Sequence, residues 1–327
     1  MLYRKLGGTG IEISTVGLGT WAIGGWMWGG TDEPLAVQAI HAALDQGINL
    51  IDTAPAYGFG LSEEIVGRAI AGRRDKVVLA TKCGLIWDRQ EGQFFFHSDR
   101  YGAASGPSEK EIYRCLRPAS IREELEASLR RLGTDHVDLY QTHWQDPTTP
   151  IAQTMEALVT LKEEGKIRAI GVSNASVDDM KAYGPIDADQ ERYSLLERAM
   201  QTSGSLDYCR EHRISVLAYS PLDNGLLTGK IQPDREYGRG DLRKTNPRFQ
   251  PAAVKQTNAL LEGLRPIADR QGVSIAQVVI AWTISQPGIT SALCGARNPA
   301  QAVENAAAAQ VPLTPEEIRT IGEAVHA

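Results

Sequence analysis

The feature that most constrains this chain is a rhythm. A short apolar run ends in polar residues, a loop follows, a stretch with helical spacing comes next, and the cycle repeats. The runs are Val16–Thr20, Ile48–Ala54, Val77–Lys82, Val137–His143, Ile167–Ser173, Ala188–Tyr193, Ser215–Ser220 and Ile289–Gly295. The helical stretches that follow them are Glu33–Gln46, Ser62–Ala71, Ser120–Leu132, Ile151–Glu164, Val177–Ala182, Ser203–His212, Ser274–Ser285 and Pro299–Ala308. Short strands alternating with helices make βαβ units, and those require parallel strands. Eight units over 327 residues predict an α/β fold, a closed (β/α)8 TIM barrel occupying residues 1–327 as one domain. An open doubly wound sheet would need a glycine fingerprint that opens a helix. Gly17-x-Gly19-x-x-Ala22 has that outline, but Gly24-Gly25 and a tryptophan-rich loop follow, and no helix is predicted there.

Before the first unit, Tyr3–Leu6 and Ile11–Ser14 flank Gly7-Gly8-Thr9-Gly10, which predicts an N-terminal β-hairpin able to plug the barrel floor. Two segments break the rhythm. Arg89–Pro118 lies between the third strand and its helix, and Pro221–Ala252 follows the seventh strand. Both read as long loops leaving the C-terminal ends of strands, the face where barrel enzymes carry their sites.

Composition serves mainly to exclude. Net charge is −6 with acids and bases interspersed, which leaves no basic stripe for nucleic acid. No apolar run reaches membrane-spanning length, and Met1-Leu2-Tyr3-Arg4-Lys5 does not open a signal peptide. Four scattered cysteines without a C-x-x-C pair fit a reducing, cytoplasmic setting. Six histidines show no second histidine at metal-ligand spacing, so no metal is expected. Oligomeric state has no legible signature; monomer and assembly both fit.

Function enters with the strand ends. Asp52, Lys82, His143, Ser173-Asn174, Gln190 and Tyr219-Ser220 each close a predicted strand. In a parallel barrel these ends converge on one mouth, and a polar ring there is costly unless its members pair or bind something. Any one of them could be a cap; six strands ending this way predict a site. Asp52 and Lys82 fall on neighbouring strands and can pair. Tyr57, in a Pro-Ala-Tyr-Gly turn, can return its hydroxyl over the mouth. A phenol titrates near about 10, and a nearby ammonium is expected to lower that value toward neutrality. Tyr57 would then exchange a proton while His143 donates to the substrate oxygen. There is no nucleophilic Ser or Cys beside a base, so the group suits carbonyl reduction by a hydride that arrives from elsewhere.

At these residues the chain resembles the aldo-keto reductases. Ile51-Asp52-Thr53-Ala54-Pro55-Ala56-Tyr57-Gly58 is similar to the family's first signature, Gly171-Val172-Ser173-Asn174 to its second, and Gly295–Asn305 to its adenosine clamp. Gly19–Gly25 and Asp241-Leu242-Arg243 are similar to the bacterial branch of general-stress reductases and glycerol or glyceraldehyde dehydrogenases. The resemblance implies a reductase of aldehydes or ketones, sugar-type carbonyls among them, or the reverse reaction on an alcohol. It implies Tyr57 as general acid supported by Asp52, Lys82 and His143. It further implies a cofactor site at Gly19, Thr20, Trp21, Asp52, Ser173, Asn174, Gln190, Tyr219, Ser220, Pro221, Leu222, Gly225, Leu226, Lys230, Arg243, Gly295, Ala296, Arg297, Gln301 and Asn305. Arg297 is the cation expected beside a 2′-phosphate, which favours NADP(H) over NAD(H). Two departures stand out: the length of Arg89–Pro118, and Ala175, where relatives often carry phenylalanine.

The substrate pocket is expected at Trp21, Trp28, Tyr57, Trp87, His143 and Trp144, with Trp26 in the same cluster of loops. Phe94-Phe95-Phe96 reads equally as a buried anchor or part of a lid. The cysteines read as inert filler, with Cys83, beside Lys82, the one candidate for a reactive thiol. His41, His136 and His212 read as surface residues. Two other functions compete: a metal-dependent barrel hydrolase or isomerase using His143 and Asp52, and a cofactor-binding regulatory subunit without turnover.

Overall fold

The computed structural model describes residues 1–99, 101–104 and 109–324. Eight strands run β1 (Val16–Gly19), β2 (Leu50–Asp52), β3 (Val78–Cys83), β4 (Val137–Thr142), β5 (Ile167–Ser173), β6 (Ala188–Arg192), β7 (Ser215–Tyr219) and β8 (Ile289–Gly295). They pair in parallel in chain order, and β8 closes on β1. A closed sheet needs apolar residues on both faces, which is why the strands read as continuous apolar runs. Leu50, Val78, Ala80, Leu139, Ala169, Ala188, Leu217 and Leu293 fill the interior, and the helices pack on the outer face. The alanine-rich helix Pro299–Ala307 buries Ala302 and Ala306 there.

The N-terminal hairpin, Tyr3–Lys5 with Glu12–Ser14, inserts Leu6 and Ile13 into the same interior cluster. Its turn runs so close to the barrel that a Cβ on Gly7 would lie 2.5 Å from the Asp187 carbonyl. Gly7, at φ +51°, is thus required twice, by space and by backbone conformation.

Four expectations need correction. Arg89–Pro118 is not a loop: Leu85–Ile86, Gln93–Ser98, Ala103–Ala104 and Lys110–Arg114 form a four-stranded antiparallel sheet beyond the mouth. Residues 100 and 105–108 of that stretch lie outside the described residues. The alternation that marks a strand was hidden by three consecutive phenylalanines, whose register shifts between Phe94 and Phe96. The segment after β7 carries short 3-10 turns and runs into the helices Pro251–Glu262 and Arg265–Gln271, and a further helix, Pro315–Glu323, follows the barrel. Trp21–Gly24 makes one helical turn where none was predicted, stopped by Gly25 at φ +74°. Finally, the helix predicted at Ser203–His212 forms as Ser205–His212, and a short helix that was not predicted, Ala199–Thr202, precedes it.

No described helix is long and apolar enough to cross a membrane. His212 is exposed, and His41 and His136 are half-buried.

Candidate active site

Level register carries the polar strand ends to one height. Gly19 of β1 stands opposite Asp52 of β2, Lys82 of β3 opposite Gln141 of β4, and Ser173 of β5 opposite Gln190 of β6. Lys82 is fully buried, and its ammonium donates to both Asp52 carboxylate oxygens at 2.9 and 2.7 Å. It donates further to the Thr53 carbonyl at 3.0 Å and to the Tyr57 hydroxyl oxygen at 3.1 Å. Three protons are thus shared among four acceptor atoms on three residues, so no proton of the buried ammonium lacks a partner. The Asp52 carboxylate accepts in addition from Gln190 at 2.8 Å and Gln141 at 3.3 Å.

Tyr57 reaches this position because its turn packs on the first loop. A Cβ on Gly24 would lie 2.5 Å from the Tyr57 carbonyl, so only glycine admits the approach. Behind the turn, Ser62 donates to Thr20 Oγ1 at 2.7 Å, and Thr20 Oγ1 donates to the Asp52 carbonyl at 2.9 Å. The His143 ring stands edge-on to the phenol, centroids 5.7 Å apart, and Trp21 lies 6.3 Å away on another side.

Electrostatics correct one expectation. Burial pushes the Tyr57 phenol well above its ordinary 10, and Asp52 raises it further. Lys82 does not reverse this: burial lowers the ammonium's own value, against the opposing pull of Asp52. With the carboxylate next to the ammonium, the pair presents little net charge to the phenol. Tyr57 is therefore a protonated donor at neutral pH, not a poised phenolate. Burial and Lys82 hold His143 well below 6.5, so its ring is neutral and carries one N–H. Cys83 is buried, and burial raises its thiol well above 9, so the reactive-thiol reading fails.

From Tyr57 a cavity of about 590 Å³ extends along the mouth to the helix that follows β8. Gly19, Thr20, Trp21, Asp52, Ser173, Asn174, Gln190, Tyr219, Ser220, Pro221, Leu222, Gly225, Lys230, Arg243, Gly295, Arg297, Gln301 and Asn305 all line it, as do Trp28, His143 and Trp144. Lys82 lies beneath Tyr57. Three residues placed at the site by sequence are turned away. Leu226 packs with Ile231 and Phe249, Ala296 belongs to the main core, and Trp87 meets the Phe59 ring at 5.2 Å. Burial decides the first two, since Leu226 and Ala296 are both 1% exposed; Trp87 stays half-buried in the aromatic cluster behind the cavity wall.

Several lining residues were not foreseen, among them Met27, Leu85, Asn224, Arg235 and Glu304. Glu304 had a legible signal, since it stands three residues after Gln301 on one helix. Gln141, which does not line the cavity but donates to Asp52 beneath it, also had one, two residues before His143 along the predicted strand. Arg235 had none. A larger depression of about 750 Å³ near Arg130 and Lys166 is open to solvent and lies where β4 and β5 begin, away from the polar ends of the strands.

The cavity suits a dinucleotide. After β7 the backbone is left-handed at Ser220, Asp223, Asn224 and Gly225, the local geometry that forms anion-cradling nests. Asp223 pins this loop through ion pairs to Arg192 at 2.7 Å and Arg248 at 2.9 Å. Lys230, Arg235, Arg243 and Arg297 line the same space. Asn174, also left-handed, donates to the His143 carbonyl at 3.1 Å and accepts from Tyr219 at 2.8 Å. It is locked beside the ring that Tyr219 presents. Among the described residues no three His, Cys, Asp or Glu side chains gather to hold a metal ion, and Asp52 is engaged by Lys82. The metal-dependent reading thus lacks a donor set.

A closed parallel barrel with a Tyr–Lys–Asp–His group at its mouth and a cation-lined cleft beside it defines a class, the carbonyl oxidoreductases of the barrel type. The aldo/keto reductase family model matches residues 15–326, and the chain belongs to that family. It is 47% identical over 307 residues to aldo-keto reductase YhdN of Bacillus subtilis, covering 92% of this chain and 86% of that protein. It is 42% identical to the NADH-specific methylglyoxal reductase of Escherichia coli, covering 98% of each. Among solved structures, glycerol dehydrogenase AKR11B4 from Gluconobacter oxydans superposes with a TM-score of 0.86 at 40% identity, covering 99% of this chain and 94% of that one. A Klebsiella pneumoniae aldo-keto reductase in complex with NADPH superposes with a TM-score of 0.71 at 30% identity, covering 98% and 94%.

Proposed function

We propose that this protein reduces aldehydes or ketones to alcohols, or runs the reverse, with NADP(H), using Tyr57 as general acid and base. One observation carries the reading: the buried Lys82 ammonium donates to the Tyr57 oxygen while Asp52 and the Thr53 carbonyl take its other protons. The phenol oxygen is thereby fixed as an acceptor, and its own proton is the one group left to give. A bound nicotinamide supplies or accepts the hydride. Tyr57 protonates the carbonyl oxygen, and neutral His143 donates a hydrogen bond to it. In the reverse direction Tyr57 takes the alcohol proton as phenolate, and Lys82 stabilises that anion.

Ser173, Asn174 and Gln190 would orient the carboxamide, Tyr219 would stack on its ring, and the loop Ser220–Lys230 would wrap the pyrophosphate. NADP(H) is favoured because four cations line the cavity against two carboxylates, Asp52 and Glu304, and Lys82 already neutralises Asp52. Arg297, at the far end, holds its backbone N–H to Gln301 at 2.8 Å and aims its guanidinium across the cleft. The Klebsiella relative's NADPH agrees with this preference, and the Escherichia coli relative's NADH specificity makes it worth measuring. Free, buried cysteines support a reducing, cytoplasmic setting. The cofactor-sensing alternative has no observation in its favour.

The test is cofactor oxidation with a panel of carbonyls, run with NADPH and with NADH. Turnover with NADPH at higher kcat/KM than with NADH is expected. Absence of turnover across the panel would overturn the reading.

A further inference from the structure

The antiparallel sheet of Leu85–Ile86, Gln93–Ser98, Ala103–Ala104 and Lys110–Arg114 presents two consecutive phenylalanines to one cavity. In a regular strand, neighbouring side chains point to opposite faces, so Phe95 and Phe96 could not both line it. The pairing of Gln93–Ser98 with Lys110–Arg114 shows how they do. Phe94 stands opposite Tyr113 and Phe96 opposite Ile112, which leaves Phe95 as the extra residue of a β-bulge. Phe94 stays on the outer side, 45% exposed, against His97 and Tyr113. Phe95 meets the Trp144 ring at 5.4 Å, under the Arg114 guanidinium at 4.8 Å. Phe96 stacks on Trp26 at 6.1 Å, and the Trp26 indole donates to Ser98 at 3.0 Å, tying the bulged strand to the first loop.

The rest of this end of the cavity is of the same kind. Beside the Tyr57 hydroxyl and the His143 ring, its described walls are indole, phenyl, Leu85 and Met27. The Trp21 and Trp28 indole nitrogens have no partner and are themselves covered. A polyol seated here would leave most of its hydroxyls unpaired, and each would bear the full cost of leaving water. A flat or branched apolar group would instead replace water on four aromatic surfaces.

We infer that the substrate carries an aromatic or branched apolar group beside its carbonyl, and that the Phe95–Phe96 bulge determines this specificity. The inference rests on the carbonyl-reductase reading above and narrows it, away from the small polyols and sugar-type carbonyls that the family resemblance allows.

The experiment compares kcat/KM for hydrocinnamaldehyde and glyceraldehyde, with NADPH, in the wild type and in the Phe94→Ala, Phe95→Ser and Phe96→Ser variants. The wild type should prefer hydrocinnamaldehyde by about 100-fold. Phe95→Ser and Phe96→Ser should each lower that ratio by about tenfold, because both rings face the cavity, while Phe94→Ala leaves it unchanged. A wild-type preference for glyceraldehyde would overturn the inference and leave the reductase reading standing. So would a silent Phe95→Ser or Phe96→Ser, since a regular strand hides one of the two. The wild-type comparison stands even where a variant folds poorly, and NADPH affinity reports which variants are intact. If the wild type reduces neither aldehyde nor any other carbonyl, the underlying reading fails as well.

Discussion

Two ion pairs mark the two ends of the cleft. At the barrel end, Lys82 and Asp52 lie 2.7 Å apart with side chains 0% and 4% exposed. At the far end, Lys230 and Glu304 lie 2.8 Å apart but are 62% and 25% exposed. The lengths are nearly equal, and the consequences differ. Buried charges are held only where every donor and acceptor is met, so the barrel end is rigid and its chemistry is preset. Exposed charges exchange partners with water at little cost, so the far end can open its clasp and regrip. Proton transfer needs the first arrangement. Admission of a long, charged cofactor needs the second.

The sharpest way to break this contrast is Lys82→Met. Removing the ammonium strands a buried carboxylate, so stability should fall by about 3–5 kcal/mol and turnover should vanish. Thermal melting with and without cofactor measures it; a melting temperature close to wild type would mean that the barrel end is not the closed network described. Next comes Tyr57→Phe, which should lower kcat by about 10²–10⁴-fold while leaving NADPH affinity within about twofold. Retained turnover would remove the tyrosine from the mechanism.

The pH profile follows from the direction of the Tyr57 shift. Because the phenol is raised above 10 and His143 is depressed below 6.5, both keep their reductive forms across neutral pH. Carbonyl reduction should be flat in kcat/KM from about pH 7 to 9, and alcohol oxidation, which needs the phenolate, should climb about tenfold per pH unit there. A reductive limb falling below pH 8 would place the phenol lower than its burial implies.

At the far end the effects shrink. Arg297→Ala should weaken NADPH binding by about 10–100-fold and NADH binding by less than about threefold, because only the former carries a 2′-phosphate. Equal weakening would mean that the guanidinium serves the loop it now touches, through the Trp28 and Gly30 carbonyls. Smallest of all, Lys230→Met should change stability by less than about 1 kcal/mol in denaturant titration, as exposed pairs do.

The barrel end was legible in the sequence because strands of a closed sheet run in register. Asp52, Lys82 and His143 end apolar runs, and parallel pairing has no freedom to put such ends anywhere but one mouth. The far end was half legible. Arg297, Gln301 and Asn305 lie at helical spacing after β8, but Arg235 comes from an irregular stretch with no period to read. Leu226, Ala296 and Trp87 do not line the cavity for a common reason: along a loop, position says little about which way a side chain turns.

The sequence alone determined the order of the barrel's strands and their following helices, the polar mouth and the turn that carries Tyr57, since each follows from periodicity or from residues close along the chain. Only the tertiary structure decided that Tyr57 is a raised, protonated phenol, because that depends on how Asp52, Lys82 and the surrounding burial balance in space. Only it paired Gln93–Ser98 and Lys110–Arg114 into a sheet where a loop was expected, because cross-strand pairing and a bulge are long-range facts. The tyrosine proposed as the acid was written in the chain; the aromatic wall proposed to choose its substrate came from packing.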